Sequence, residues 1–214
     1  NFDNDTFKFG SAKNILVGGI KIWAQRLSYV GELGYELYVS FDDAKKIYEL
    51  LIEKGKDFNL SNCGMHALDI MRMESGFLHW GHDISPEENQ YQAGLTFTIS
   101  KKKDKNFIGK ESLDKIKKEK INSRFAMFTL KDSKPGEPLL LHDEPIYLDD
   151  KIIGRSTSGN YSFNFKKNLS FGYIDTDFSN EELKNKNLFI EVEKKKYSIS
   201  ILLKPLKQSN FKNI

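Results

Sequence analysis

RFAMFTL (124–130), EPIYL (144–148), KIIGRSTS (151–158), NLSFGYI (168–174), NLFIEVE (187–193) and KYSISILL (196–203) are six short runs rich in β-branched and aromatic residues. Asp, Gly, Asn and Pro part them. Strand-forming segments at such regular spacing predict antiparallel pairing, and six of them predict a small barrel or sandwich from Ser123 onward.

Upstream the pattern differs. In KNILVGGIKIWAQRLSYV (13–30), Ile15 and Val17, then Ile20, Ile22 and Ala24, recur every second residue around Gly18-Gly19, which predicts a hairpin. A further strand pair is expected where SYV and YELYV flank GELG, with Glu36 and Tyr38 on one face and Leu37 and Val39 on the other.

AKKIYELLIEKG (44–55) follows Asp42 and Asp43, carries Ala44, Ile47, Leu50 and Leu51 at helical spacing, and stops at Gly55. A second helix is expected from Asn62, as its cap, to Gly76, with Met65, Leu68 and Met71 three apart. LTFTIS (95–100) reads as a strand, and the second half of KKKDKNFIGKESLDKIKKEK (101–120) as a short charged helix.

The fold class is therefore α+β, an antiparallel sheet with two packed helices followed by a small C-terminal antiparallel β-barrel. Domains are expected at 1–122 and 123–214.

The 214 residues supply an ample core, with 16 Phe and 9 Tyr. Basic residues number 33 against 30 acidic ones, a net charge of +3, and only four of the 33 are Arg. Because Arg is the favoured reader of phosphate and guanine, this balance speaks against a nucleic-acid partner. The Lys runs at 101–105, 117–120 and 194–196 read as solvated surface. One Cys excludes a disulfide framework, and no apolar window is long enough to span a membrane, so a cytoplasmic protein with no membrane partner is expected. The first residue is Asn rather than Met, which suggests a piece of something longer.

Several clusters invite a chemical reading. His79, His82 and Asp83 in HWGHD have no further ligand clustered with them, only His66 and His142 remaining elsewhere, and read as a turn; no metal is expected. Cys63 with His66 lacks an orienting third group and reads as structural. The hydroxyls of GRSTSGNYS (154–162) do not follow Walker spacing and read as a turn between strands. SYVGELGYE differs, since it places Tyr29 and Glu36 around a glycine-rich turn. A carboxylate there can accept two parallel hydrogen bonds from the ring N–H and amino group of a heterocycle whose flat face an aromatic covers.

SYVGELGYELYV, ALDIMRMESGFLHWGHDISPEENQYQAGLTFTI, FIGKESL, GRSTSGNYS and FGYID, in this order, resemble the C-terminal part of the glycine-cleavage T-protein (aminomethyltransferase) superfamily. The likeness runs from about Phe7 to about Pro205, most of all to the folate-binding portion of dimethylglycine and sarcosine dehydrogenases. It implies a tetrahydrofolate site in which Glu36, the second acidic residue of GExGxE, binds the pterin and Tyr29 faces it.

Phe77 stands where T-proteins carry a cofactor-contacting Tyr, so a hydroxyl is missing there. Leu68 replaces the Arg of their ARD motif, as in the dehydrogenase branch. The family's catalytic Asp is expected before residue 1, since Asp3 and Asp5 do not match its motif; no catalytic residue is expected in this chain, and the fragment alone is expected to be inactive. The N-terminal portion of the same enzyme would be a partner, and FAD is expected only there, where an N-methyl amine is oxidised before its one-carbon unit passes to tetrahydrofolate. The alternatives are another superfamily member, a sulfur-compound demethylase or a folate-dependent RNA-modification factor, or a non-catalytic structural module.

Overall fold

The computed structural model describes residues 2–100, 102, 106–132 and 134–208. The chain divides into two compact units, one formed by the described residues up to Ser75 together with those from Lys207 on, the other by Gly76–Leu206.

The first unit is built on a three-stranded antiparallel sheet, β1 (Ala12–Val17), β2 (Ile20–Gln25) and β3 (Glu36–Tyr38), in that spatial order. Gly18 and Gly19 form the β1–β2 turn with φ of 58° and 82°, a geometry that glycine adopts without strain. A Cβ on Gly18 would come within 2.5 Å of Leu50, which lies on α1 (Phe41–Gly55).

The expected strand pair around GELG is not formed, because only Glu36–Tyr38 is a strand and it pairs with β2. Residues 28–35 turn instead, with Gly31 at φ 70° and the Ser28 hydroxyl accepting the Glu32 N–H at 3.0 Å.

α1 starts earlier than expected, at Phe41, where Asp42 and Asp43 complement the positive end of the helix dipole. α2 (Met65–Glu74) is capped by Gly64 rather than Asn62, whose side-chain amide donates to the Tyr48 hydroxyl at 2.8 Å and so is not spent on the helix. Arg72, fully buried, sends Nε and Nη2 to Asp69 Oδ1 at 2.9 and 2.7 Å.

In the second unit LTFTIS is not a strand. Thr96–Thr98 is a single 3-10 turn in which the Thr98 N–H and hydroxyl both donate to the Leu95 carbonyl, at 3.0 and 2.7 Å. α3 (Lys110–Ile116) is the expected charged helix. Of the lysine run at 101–105, all but Lys102 lies outside the described residues.

A closed antiparallel barrel follows. Its strands are β4 (Arg124–Leu130), β5 (Pro145–Leu148), β6 (Lys151–Ser162), β7 (Lys167–Ile174), β8 (Leu188–Val192) and β9 (Lys195–Leu202), ordered β4-β7-β6-β5-β8-β9, with β9 pairing back onto β4. Alternate residues fill it: Ala126, Phe128 and Leu130, Leu188 and Ile190, Ile199 and Ile201 all face one core.

GRSTSGNYS lies within β6 rather than in a turn, because it pairs along β7 with one irregularity between Ser156 and Ser158. α4 (Asn180–Leu183) opens with a capping box between Ser179 and Glu182. Among the described residues no helix is long and apolar enough to cross a membrane.

Candidate functional site

Glu36 is delivered to the surface by the turn that precedes it. The Tyr35 hydroxyl donates to the Phe2 carbonyl at 2.8 Å, and the Tyr35 ring meets Phe2 edge-on at 4.7 Å and Phe7 at 5.3 Å. Phe7 is fully buried, so Tyr35 is clamped and Glu36, the next residue, must project the other way from β3.

Register fixes its neighbours. Glu36 stands opposite Gln25 and Tyr38 opposite Trp23, which puts all four on one exposed face of the sheet. The Tyr38 hydroxyl donates to Glu36 Oε2 at 2.8 Å; that bond, with the carboxylate's charge, pushes the Tyr38 phenol above its ordinary range. Oε1 of Glu36 has no hydrogen-bond partner among the described residues. The group is thus an oriented carboxylate with acceptor capacity left over, as an amino-heterocycle requires.

Tyr29, half-buried, lies in the β2–β3 connection, seven residues before Glu36 opens β3. Phe77 is half-buried and belongs to the second unit, next to Gly76, whose φ is 73°. The shared face of Glu36 and Tyr38 was legible from two-residue spacing, whereas Trp23 and Gln25 were not, because strand register carries no local signal.

The second unit has its own polar cleft, of about 500 Å³, lined in part by His82, Glu88, Gln92, His142, Arg155 and Tyr173. Beside it Asp83 is buried; its Oδ1 accepts the hydroxyls of Thr157 at 2.5 Å and Ser158 at 2.8 Å, and its Oδ2 the His79 N–H at 2.9 Å. The HWGHD turn is therefore a latch onto β6, a role the sequence did not disclose because Asp83 and Ser158 are remote along the chain. Among the described residues no group of three His, Cys, Asp or Glu is placed to hold a metal. Cys63 is exposed, ahead of α2, with its thiol 4.0 Å from the Ser61 carbonyl.

At the rim of the cleft Asp143 bonds His142 at 2.8 Å and also meets Arg155; the His142 bond, then Arg155, hold its carboxyl below the usual range. The Tyr173 hydroxyl is buried without a hydrogen-bond partner among the described residues. Burial, with the charges of Glu88 and Asp83, raises its pKa and keeps it protonated. An unpaired buried hydroxyl is destabilising, so Tyr173→Phe is expected to raise stability by about 1 kcal/mol, read as a melting temperature about 3 °C higher.

Comparison with known proteins gives a consistent picture. The GCVT N-terminal domain model matches residues 1–103 and the glycine cleavage T-protein C-terminal barrel domain model matches residues 124–207. The chain is similar to the mitochondrial dimethylglycine dehydrogenase of Rattus norvegicus, 33% identical over 204 residues, which are 95% of this chain and 23% of that protein. It is also similar to the 4-methylaminobutanoate oxidase (formaldehyde-forming) of Paenarthrobacter nicotinovorans, 41% identical over 72% of this chain and 18% of that one. The chain thus spans less than a quarter of either relative. The fold is shared with the crystal structure of the glycine cleavage system aminomethyltransferase T from Bartonella henselae, with a TM-score of 0.74 and 23% identity over 88% of this chain and 50% of that one.

Proposed function

The chain belongs to the glycine-cleavage T-protein (aminomethyltransferase) family, and from that membership we propose that it is the tetrahydrofolate-binding segment of a larger one-carbon transfer enzyme. The one-carbon unit would come from an N-methyl amine of the dimethylglycine or sarcosine type, as the name of the rat relative suggests. The observation that carries the reading is Glu36, an exposed carboxylate steadied by Tyr38 with one oxygen unengaged among the described residues.

Tetrahydrofolate, when bound, supplies the nucleophilic nitrogens that accept the one-carbon unit. Glu36 anchors and orients the pterin by accepting its N–H and amino hydrogens, and Tyr29 covers an aromatic face. Rigid holding of this kind lowers the barrier by fixing the reacting geometry. Glu36 moves no proton in this scheme. The acid-base Asp and the FAD-bearing portion belong to the N-terminal part of the same enzyme, which makes the isolated segment inactive. The cytoplasm is the compartment this proposal keeps; the rat relative is mitochondrial by name.

The test is titration of a folate analogue into the full-length protein and its Glu36→Ala and Glu36→Gln variants. Losing hydrogen bonds to a charged group removes about 1.5–3 kcal/mol, so Glu36→Ala should bind about 10- to 150-fold more weakly. Equal affinities overturn the assignment.

The formaldehyde-forming relative favours a second reading, a structural segment whose pocket has lost its role. Turnover that is unchanged without tetrahydrofolate and releases only formaldehyde selects that reading.

A further inference from the structure

We propose that a lysine-rich groove at one end of the barrel is a docking site for an acidic peptide segment. The groove, of about 970 Å³, lies among the segment after β4, the β6–β7 turn and the β8–β9 turn. Lys131, Lys134, Lys166, Lys167, Lys195 and Lys196 line it against Asp132, Glu137 and Glu193. That is an excess of three positive charges, and the entire chain carries a net charge of +3, so the rest of the chain is neutral. Two of the six are partnered, Lys134 by Glu137 at 3.9 Å and Lys196 by Asp150 at 3.1 Å. Lys131, Lys166, Lys167 and Lys195 have no ion pair among the described residues.

The backbone provides an independent sign. Val192 pairs with Lys195, which leaves Glu193 and Lys194 as a two-residue hairpin turn with φ of 51° and 63°. Such turns call for Gly or Asn, and the β1–β2 hairpin of this same chain uses Gly18-Gly19. Lys166 on the β6–β7 turn also sits at φ 53°. At this end of the barrel the chain accepts strain that glycine would relieve and keeps charged side chains instead.

The chemistry of the lining selects the ligand. No arginine is among the lining residues, so the groove attracts charge without reading the forked shape of phosphate or guanine. Tyr197, the aromatic of the lining, already has the Lys195 ammonium 5.0 Å over its ring, which leaves no platform for stacking bases. Asp132 and Glu193 can accept backbone N–H groups, which a peptide offers and a polyphosphate or nucleic-acid backbone does not. Asp and Glu side chains would meet the four unpaired lysines while the peptide backbone meets these acids.

Fluorescence anisotropy of a labelled hexaglutamate peptide on the full-length protein tests this. Changing Lys131, Lys166, Lys167 and Lys195 to Gln is expected to weaken binding at least about tenfold at low ionic strength, and about 0.5 M salt to abolish it in the parent. Changing Lys45, Lys54, Lys117 and Lys184 to Gln removes the same charge elsewhere and is expected to leave affinity within about twofold. Equal losses in both variants, no binding by the parent, or displacement of the peptide by tripolyphosphate or a short single-stranded RNA at lower concentration overturns the proposal. Lys166→Gly keeps the test decisive should the fourfold variant misfold, because Lys166 lines the groove and sits at positive φ. Its melting temperature should rise while peptide binding weakens, and unchanged binding counts against the groove.

Discussion

Asp83→Ala is expected to destabilise the second unit by about 3–5 kcal/mol, because it strands three donors at once. The Thr157 and Ser158 hydroxyls and the His79 N–H all end on that one carboxylate, which is almost wholly removed from solvent. Ser158 is buried and Thr157 and His79 are half-buried, so donors left without an acceptor regain little of the water they gave up, and the alanine methyl fills little of the vacated space. Asp83→Asn keeps the size and one acceptor oxygen, and is expected to lose about half as much. Urea unfolding followed by intrinsic fluorescence separates the outcomes. A loss below about 1 kcal/mol for Asp83→Ala would mean that the latch is ornamental and that β6 holds its course without it.

Gly154→Ala is expected to cost about 3–4 kcal/mol, for steric reasons. Gly154 lies in β6 between two partners, opposite Ile146 of β5 and Ile174 of β7. A methyl group there would stand 1.9 Å from the Tyr173 carbonyl oxygen and 2.9 Å from Ile174 Cα. Both obstacles are backbone, so no side chain can swing aside, and relief requires β6 and β7 to part. Gly64→Ala is the comparison, since nothing lies within 4 Å of its added carbon. That change is expected to shift the unfolding midpoint little. Similar losses for the two variants would refute the steric account.

Folate titration of the Glu36 variants and peptide titration of the lysine variants address different units of the chain, so either reading can fail without the other. The first concerns a face of the β1-β2-β3 sheet and the second an end of the barrel.

The reach of sequence reading follows from the range of the forces concerned. The six barrel strands were legible because alternation of buried and exposed side chains is a two-residue pattern, present locally in RFAMFTL, NLFIEVE and KYSISILL. The β1–β2 hairpin was legible because Gly18-Gly19 is a local solution to a left-handed turn. LTFTIS misled, because the Thr98 N–H and hydroxyl both close onto the Leu95 carbonyl, and SYV misled, because the Ser28 hydroxyl holds a turn where a strand was expected.

Local patterning and the ordered motif blocks thus determined the α+β class, the barrel and the family. Only the tertiary structure decided which residues share a surface. Trp23 and Gln25 join Glu36 and Tyr38 through strand register, Asp83 reaches Thr157 and Ser158 across more than seventy residues of chain, and lysines from three separate connections gather at one barrel end. Register and barrel closure are set by the summed packing of all six strands around one core. No short window of sequence contains that sum.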